Sequence, residues 1–382
     1  MPASEPSLTV GIEEEYHLVD VRTRALATEV PPGFVAECER VLGPQVSPEF
    51  LRSQIEVGTR PCWTLAEARA DLRRLRSGVV ASAAQFGLAP IAASTHPFAR
   101  AGQAPHTDRE RYHTLARDLA GVGRRLLISG MHVHIGIEDD EQRIDLMNQL
   151  RYFLPHLLVL TTSSPFWEGE DTGLKSWRLA IFRELPRTGL PGRFNSWDEY
   201  RQTVDVLVRA KVMEDASKIW WDLRPSARFP TLEMRITDIC TSSEDAVTVA
   251  ALFMCIARML HRLRRNNQSW RSYPVFLLEE NRWRAQRYGL SGSLFDFGRG
   301  ELVPYADLLE EILAIVQEDA VDLGCLEEVQ GAWRILAEGT SADRQLACFA
   351  KALAAGASRQ EALEAVVDHL VEETKTHLVT DS

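Results

Sequence analysis

Four short apolar segments of the sequence each carry two polar side chains that are two residues apart. These pairs are Glu13 with Glu15, Gln54 with Glu56, His132 with His134, and Glu233 with Arg235. Because residues i and i+2 of a β-strand point to the same side, an extended segment shows both members of its pair on one face. Apolar residues would occupy the opposite face, namely Ile12, Ile55, Val133 and Met234. Glu14 breaks the alternation and is expected to point away from its two neighbours.

Brought together on one sheet, these side chains would form a metal site. A single such pair is more often part of a solvated strand face, but four pairs without Lys, Thr or Ser are harder to explain in that way. Clustered carboxylates repel each other unless cations neutralise them. Oxygen ligands with an imidazole suit Mg²⁺, with Mn²⁺ as the alternative. No cysteine belongs to the set, which argues against a structural zinc site.

A magnesium site beside an arginine is typical of phosphoryl transfer. The metal bridges phosphate oxygens, and the guanidinium stabilises the charge that develops on the transferred group. The pattern therefore predicts an ATP site. It would not use the common nucleotide loops, because the sequence has no G-x-x-x-x-G-K-[ST] and no G-x-G-x-x-G after a predicted strand.

The elements that would position these residues indicate an α+β fold. Strands are predicted over residues 8–20, 88–94, 126–138 and 231–239. Helices are predicted after the capping boxes at Thr64 and Ser196, over 108–121, over 141–160 with a break at Pro155, and over 242–266. From Pro304 the chain is helical and acidic, with a last helix capped by Ser358. Residues 161–196 are rich in Ser, Thr, Gly and Pro, which predicts a functional surface loop.

Length and charge limit the class of protein further. The chain has 382 residues, with 43 Lys and Arg against 54 Asp and Glu, a net charge of −11. We expect one catalytic domain over 1–382, with 305–382 as a helical C-terminal subregion. The acidic balance argues against nucleic acid or a membrane surface as partner, but anions could still bind through metal ions. Without a signal peptide, a membrane span or a C-x-x-C motif, the sequence is predicted to be cytoplasmic with reduced thiols.

Six motifs, in order along most of the chain, resemble one family. They are GIEEEY (11–16), SQIEV (53–57), GMHVHIG (130–136), SPFWEG (164–169), IWWDLRPS (219–226) and TLEMR (231–235). Together they resemble the type 2 glutamate–cysteine ligases, bacterial carboxylate–amine ligases of the glutamine synthetase superfamily. The resemblance implies a curved, mainly antiparallel sheet whose concave face binds Mg-ATP, with helices packed behind it. It also implies that ATP phosphorylates the side-chain carboxylate of glutamate, and that an amine, first of all cysteine, then attacks the acyl phosphate.

The resemblance also implies a role for each site residue. The metal ligands would be Glu13, Glu15, Glu56, His132 and Glu233. Arg235 would bind the nucleotide and stabilise the transferred phosphoryl group, and with Glu56 it would be catalytic. The substrate-binding residues would be Arg178 on the substrate carboxylate, His134 on the substrate side and Arg224 on phosphate. Asp222 is a candidate base for the amine. Loop 161–196, with Trp167 and Trp177, would be a lid that excludes water. A homodimer is expected by analogy.

Two alternatives stay open at this stage. An H-x-H pair such as His132 and His134 also opens many zinc-dependent hydrolase sites, in which further histidines complete the ligand set. The protein could otherwise be a non-catalytic homologue that binds nucleotide only. Neither the physiological amine nor the efficiency of the reaction follows from the sequence.

Overall fold

A seven-stranded antiparallel sheet forms the centre of the protein. The structure is a computed structural model and describes residues 5–378. Within them the strands are β1 (Val10–Asp20), β2 (Val46–Pro48), β3 (Gln54–Gly58), β4 (Leu88–Ile91), β5 (Met131–Gly136), β6 (Phe166–Trp167), β7 (Glu170–Asp171), β8 (Thr188–Gly189), β9 (Trp220–Trp221), β10 (Leu223–Pro225), β11 (Thr231–Met234), β12 (Ser293–Asp296) and β13 (Glu301–Pro304). The central sheet has the order β10-β11-β5-β1-β3-β2, and β4 also pairs with β1. The predicted α+β class with a mainly antiparallel sheet is confirmed.

Helices cover one side of this sheet and continue to Thr374. They are α1 (Phe34–Leu42), α2 (Leu65–Ala84), α3 (Glu110–Gly123), α4 (Asp140–Leu150), α5 (Leu154–Thr161), α6 (Arg178–Phe182), α7 (Trp197–Arg209), α8 (Ser243–Arg265), α9 (Val275–Tyr288), α10 (Tyr305–Asp322), α11 (Leu326–Glu338), α12 (Ser341–Ala354) and α13 (Arg359–Thr374). Helices α2 and α8 contact β1 directly. Ile12, Ile55, Val133 and Met234, from four strands, are fully buried in the apolar cluster between sheet and helices. The predicted alternation of polar and apolar faces is therefore present in the structure.

Glu14 lies on the helix side of the sheet, as its place in the alternation predicts. Its carboxylate accepts hydrogen bonds from Arg76 of α2, with an Nη2–Oε1 distance of 2.5 Å and an Nε–Oε2 distance of 2.7 Å. Both side chains have no exposed surface. Arg76 also donates to the carbonyl oxygens of Cys240 and Thr241, and the Tyr16 hydroxyl donates to Glu14. The pair thereby ties α2 to the back of the sheet.

The predicted helix starts are confirmed at the capping residues. The side chains of Thr64, Ser196 and Ser358 accept hydrogen bonds from backbone N–H groups in the first turns of α2, α7 and α13. The predicted helix over 141–160 is two helices, α4 and α5, because Pro155 lies in the first turn of α5 and cannot donate a helical hydrogen bond. Strand β11 ends at Met234 rather than near residue 239.

Most residues of helix α8 are buried. By length and composition alone it could span a membrane, but 83% of its most apolar stretch is buried inside the protein. Such burial is typical of a core helix. Helices α10 and α11 pack against α8 and share its apolar cluster. Phe349 of α12 and the buried apolar residues of α13 belong to a separate cluster, which includes Ile91 of β4. The single-domain interpretation stays a prediction. All six cysteines are free.

The surface-loop prediction for residues 161–196 is wrong for residues 161–167, which are buried. Thr161 to Ser164 are buried, and the segment contains β6, β7, α6 and β8. Its hydroxyl groups bind a buried carboxylate instead of water: the hydroxyls of Ser164 and Ser176 donate to Asp238 at 2.7 and 2.8 Å. Polar composition therefore gave a misleading signal of exposure. Residues 161–167 are therefore part of the packed interior rather than of a lid.

Acid is expected to destabilise the protein through buried histidines such as His156 of α5. Burial lowers the pKa of His156 to about 4, so it is neutral when folded. The unfolded chain binds this proton near its ordinary pKa of about 6.5, so the stabilisation is present above that pH and is lost as the pH falls toward 4. This shift corresponds to about 3 kcal/mol. In denaturant titrations between pH 7 and 4, His156→Leu should show a flatter loss of unfolding free energy. A matched change at the exposed His113 should keep the wild-type slope, and an unchanged slope for His156→Leu would contradict the assignment.

Candidate active site

The register of the central sheet places the four polar pairs side by side. Glu13 is opposite His132 across β1 and β5, and Glu15 is opposite Glu56 across β1 and β3. Glu233 of β11 is opposite His134. All eight members of the pairs line one cavity of about 400 Å³, together with Arg178 and Arg224. Every site residue predicted from the sequence except Asp222 is therefore in one place.

Glu13 lies between the two imidazoles of the site. His132 Nδ1 donates to Glu13 Oε2 at 3.1 Å, and His134 Nε2 lies 3.4 Å from Glu13 Oε1. Burial alone would raise the pKa of Glu13, but the two histidines outweigh it and hold the pKa well below its usual range. The Nε2 atom of His132 is buried and has no hydrogen-bond partner among the described residues, whereas that of His134 faces Glu13. An imidazole whose Nδ1–H is held by a carboxylate presents Nε2 as a ligand atom.

A second group of carboxylates lies beside the first and contains one residue that the sequence analysis missed. Oxygen atoms of Glu15, Glu49 and Glu56 lie within 4.8 Å of one another. Burial, with Glu56 as neighbour, raises the pKa of Glu15 to about 7. Burial, with Glu49 and Glu13 as neighbours, raises the pKa of Glu56 well above its usual range. Without a cation, carboxylates in this arrangement resist losing their protons.

Glu49 could have been found from its two-residue spacing to another polar residue, which is the signal that marked the other pairs. It follows β2 and is two residues after Ser47, whose hydroxyl donates to Glu56 at 3.0 Å. Pro48 lies between them, and a proline argues against a central strand. Because β2 is at the edge of the sheet, the proline is tolerated there.

The donor set fits a divalent cation that prefers oxygen ligands. Three overlapping groups, Glu13–His134–Glu233, Glu13–Glu56–His132 and Glu15–Glu49–Glu56, each place three ligand atoms within 4.8 Å. The unpartnered Nε2 of His132 and the crowded carboxylates would both be satisfied by such an ion. Carboxylates with at most one imidazole per group suit Mg²⁺ or Mn²⁺.

Two arginines of the site are held by one carboxylate. Arg224 Nε donates to Glu233 Oε2 at 2.9 Å, and Arg235 donates to Glu233 Oε1. Burial would raise the pKa of Glu233, but the two guanidinium groups outweigh it and hold the pKa far below its usual range. The Nε of Arg235 is buried without a hydrogen-bond partner among the described residues. It is a donor available to a bound ligand.

Arg178 is placed by a buried polar network behind the cavity. It lies at the start of α6 and is 2% exposed, and its Nη2 and Nη1 donate to the carbonyl oxygens of Arg235 and Ile236 at 3.2 and 3.4 Å. Its backbone N–H donates to the hydroxyl of Ser164, which donates to Asp238. A Cβ atom on Gly130 would lie 2.5 Å from Arg178 Nη2. Residue 130 must therefore be glycine for Arg178 to occupy this position.

Two predictions about neighbouring residues are wrong. Asp222 does not line the cavity: its Oδ2 accepts a hydrogen bond of 2.6 Å from Arg282 of α9, and both side chains are buried. It cannot serve as base for an amine in the cavity. Trp167 and Trp177 do not line the cavity either; they pack in the apolar cluster that contains Phe182, which does line it.

The cavity does not contain the extra histidines that a zinc hydrolase would need. Among the described residues, His132 and His134 are the histidines on its wall. The later histidines His156 and His261 lie buried in α5 and α8, while His369 lies in α13 and His377 beyond it. Within residues 5–378, no third imidazole therefore lies in the cavity with His132 and His134 to complete a zinc site.

Comparison with known proteins identifies the family. The model of the glutamate–cysteine ligase family 2 matches residues 9–369. The chain belongs to glutamate–cysteine ligase family 2. This confirms the family suggested by the sequence motifs.

A relative of high identity agrees with this membership, and two solved structures share the fold. A Rhodospirillum rubrum protein with the provisional name glutamate–cysteine ligase 2 is 59% identical over 382 residues, covering 99% of this chain and 98% of the relative. A glutamate–cysteine ligase from Francisella tularensis, solved in complex with AMP, shares the fold with a TM-score of 0.70 at 12% identity, covering 98% of this chain and 90% of that protein. A bifunctional glutathione synthetase from Pasteurella multocida gives a TM-score of 0.69 at 15% identity. The match covers 96% of this chain and 52% of the Pasteurella multocida protein. The family model and the name of the relative support a ligase function, and the two solved structures show a shared fold.

Proposed function

We propose that the protein is an ATP-dependent carboxylate–amine ligase that phosphorylates the γ-carboxylate of glutamate and joins it to an amine, with cysteine as the amine named for its relatives. The observation that carries the proposal is the set of three overlapping carboxylate and imidazole groups that shares one cavity with Arg178, Arg224 and Arg235. An acidic protein needs such a cation site to bind a triphosphate, because its carboxylates alone would repel the phosphates.

The chain's own residues have separate roles in the first half-reaction. Glu13, Glu15, Glu49, Glu56, His132 and Glu233 would hold Mg²⁺ or Mn²⁺, which supplies positive charge to the phosphate oxygens. An oxygen of the glutamate γ-carboxylate attacks the γ-phosphorus of ATP, the bond to the ADP oxygen breaks, and an acyl phosphate forms. Arg235, whose Nε lacks a partner among the described residues, would donate to the transferred group. Arg224 would donate to phosphate beside it.

The second half-reaction joins the amine to the activated carbon. The amine nitrogen attacks the acyl carbon, the carbon–oxygen bond to phosphate breaks, and the amine proton passes to a base. Arg178 would hold a carboxylate of glutamate, because a guanidinium binds a carboxylate in a bidentate manner, and His134 would lie on the substrate side. Apolar side chains, among them Phe182, Leu185 and Trp220, line the same cavity and would limit the access of water to the acyl phosphate.

Product formation tests the proposal. The purified protein would be incubated with ATP, Mg²⁺, glutamate and hydroxylamine, a small amine that intercepts acyl phosphates. The expected product is γ-glutamyl hydroxamate, with ADP and phosphate, and each should disappear when glutamate is omitted. A protein that binds ATP but forms no hydroxamate would be the non-catalytic homologue. Stoichiometric zinc in the purified protein would instead favour the hydrolase interpretation, whereas the proposal predicts weakly held magnesium.

The cellular location and the oligomeric state form part of the same proposal. We infer a cytoplasmic enzyme, because ATP, glutamate and free thiols coexist there and all six cysteines are free. Its partners would be the small-molecule substrates, without nucleic acid or a membrane. A homodimer is proposed by analogy, and light scattering of the purified protein would test it.

Gly130→Ala should weaken binding of the acid substrate. Since the added Cβ would lie 2.5 Å from Arg178 Nη2, the guanidinium must move. We expect the KM for glutamate to rise about 10- to 100-fold, because small misplacements of a binding group have effects of that size, while the KM for ATP changes much less. Gly192→Ala is the matched control, since a Cβ there meets no atom within 4 Å. An equal rise in both KM values would show general damage to the site instead.

A further inference from the structure

The sheet face that carries the candidate metal ligands continues past them as glycine. Gly11 of β1 comes two residues before Glu13, and Gly58 of β3 comes two residues after Glu56. Because residues two apart on a strand share a face, both glycines lie on the cavity side of the sheet. The register agrees, since Gly11 is opposite His134 and Gly58 is opposite Glu13. The polar floor of the active site therefore ends at positions without side chains.

A separate cavity of about 290 Å³ begins at this end of the floor. Gly11, Pro61 and Phe229 are on its wall, and we call it the glycine cleft. Glu13, His134 and Phe229 line both the glycine cleft and the active-site cavity, so the two are neighbours. A ligand bound at the metal site could therefore extend into the glycine cleft.

The lining of the glycine cleft suits a neutral group better than a phosphate. Among the described residues, no Lys or Arg lines it, and Glu13 and Glu138 are its carboxylates. Its apolar side chains are those of Val10, Ile12, Pro61, Phe229 and Pro230, and its hydroxyl groups those of Thr9, Thr59 and Thr231. Apolar walls with a few polar atoms that can donate or accept hydrogen bonds are typical of a site for a planar heterocycle.

The space above Gly11 is not filled by the protein's own side chains. A Cβ atom on Gly11 would meet the Cβ of His134 at 3.7 Å, an ordinary contact. Gly136 of β5 differs, because a Cβ atom there would lie 2.4 Å from the hydroxyl oxygens of Ser7 and Thr9. Packing within the protein thus requires glycine at 136 but not at 11. At Gly11 a flat ligand can approach the backbone of β1.

Phe229 places an exposed aromatic ring at the junction of the two cavities. It lies in the loop between β10 and β11 and is 57% exposed. Its ring meets that of His134 at an angle of 85°, with the ring centres 6.4 Å apart. An exposed aromatic ring beside a nucleotide site is available to stack on a base.

The order of groups along β5 decides which end of the nucleotide lies here. The space beside Gly130 is occupied by Arg178, the residue proposed for glutamate, and His132 and His134 follow on the same face. Gly136 and the glycine cleft come last, about 20 Å from Gly130 at the usual rise of a strand. The γ-phosphorus must face the acid substrate. The nucleoside therefore points away from Arg178, toward the glycine cleft.

We propose that the glycine cleft holds the nucleobase of ATP and that Phe229 stacks on this base. The inference rests on the proposed ligase function and names the part of the chain that distinguishes a nucleotide from a bare triphosphate. The base would lie against the backbone at Gly11, with its edge toward the hydroxyl groups of Thr59 and Thr231.

Binding of a nucleotide and of a triphosphate without a base tests the inference on the intact protein. Dissociation constants would be measured by calorimetry for Mg-ATP and for Mg-tripolyphosphate. In Phe229→Ala we expect the Kd of Mg-ATP to rise about 5- to 100-fold, the usual effect of losing one stacking residue, while the Kd of Mg-tripolyphosphate stays within about twofold. Phe276→Ala on α9, where the phenylalanine is 84% exposed, is the matched control and should keep both values. An unchanged Kd of Mg-ATP in Phe229→Ala, or an equal rise for both ligands, would overturn the inference.

Filling the glycine cleft gives a second test. Gly11→Val adds methyl groups above β1 and should also weaken Mg-ATP at least about tenfold more than Mg-tripolyphosphate. Thermal unfolding would verify that this variant folds, and retained tripolyphosphate binding would show that the metal site is intact. Equal effects on the two ligands would contradict the placement of the base. Hydroxamate formation by the wild-type protein separates the two levels of failure: if it occurs while both variants bind Mg-ATP normally, only the inference fails. Absence of hydroxamate and of Mg-ATP binding in the wild-type protein would overturn the ligase function as well.

Discussion

Glu56→Gln is expected to lower glutamate- and amine-dependent ADP release by about a thousandfold or more. Glu56, like Glu13, belongs to two of the three candidate metal groups: the one with Glu13 and His132 and the one with Glu15 and Glu49. The amide of glutamine has nearly the same shape but carries no charge and is a poorer ligand for Mg²⁺. Loss of a group that stabilises charge in the transition state typically has effects of about 10²- to 10³-fold. A metal ligand should lie at the upper end or above.

The controls for this experiment separate loss of the site from loss of the fold. Glu310→Gln, at an exposed position on α10, should retain wild-type turnover. Glu233→Gln should be as inactive as Glu56→Gln, because it removes a metal ligand and leaves Arg224 and Arg235 without their shared partner. Raising the Mg²⁺ concentration should restore part of the activity of Glu56→Gln if the lost function is metal binding. Full turnover in both site variants would contradict the site.

Glu14→Ala is expected to lower the free energy of unfolding by about 3–5 kcal/mol, the usual cost of breaking a buried ion pair on one side. The substitution leaves Arg76 charged in an interior where neither side chain has exposed surface. The two carbonyl oxygens that Arg76 also contacts, of Cys240 and Thr241, cannot replace the lost charge. Denaturant titration measures the effect.

The neighbours of Glu14 provide the comparison. Glu13→Gln and Glu15→Gln change side chains on the cavity side of the same strand, so they should abolish turnover with a much smaller loss of stability. In the double variant Glu14→Leu with Arg76→Met, no charge stays buried, and most of the stability should return. If Glu14→Ala leaves the stability near that of the wild-type protein while Glu13→Gln unfolds it, the two faces of β1 have been assigned the wrong way round.

The sequence predicted the polar face of the sheet correctly where ionisable side chains recur at every second residue, which is the period of a β-strand. Residues two apart with ionisable side chains inside apolar strands predicted one polar sheet face, and the position of Glu14 between Glu13 and Glu15 predicted its opposite orientation. The order of the strands did not follow from this pattern. The register that puts Glu15 opposite Glu56 depends on contacts between distant segments, and the family resemblance supplied only the type of sheet and its concave face.

The wrong predictions were those in which exposure or function was inferred from local composition without knowledge of the side-chain contacts. Residues 161–164 looked solvent-exposed because they are polar, yet Ser163 and Ser164 bind the buried carboxylate of Asp238. Asp222 looked available for catalysis because of the motif around it, yet Arg282 engages its carboxylate from a helix 60 residues later. Such partners are invisible to local patterns, since they depend on which distant helix packs against the strand.

Oxygen transfer provides the most direct test of phosphorylation of the acid. Glutamate labelled with ¹⁸O in both γ-carboxylate oxygens would be converted with ATP, Mg²⁺ and an accepted amine, and the products would be analysed by mass. The proposal predicts one ¹⁸O in each phosphate released, with the other retained in the amide. Unlabelled phosphate, or label found in AMP, would contradict it, because the carboxylate oxygen would then never have bonded to the γ-phosphorus.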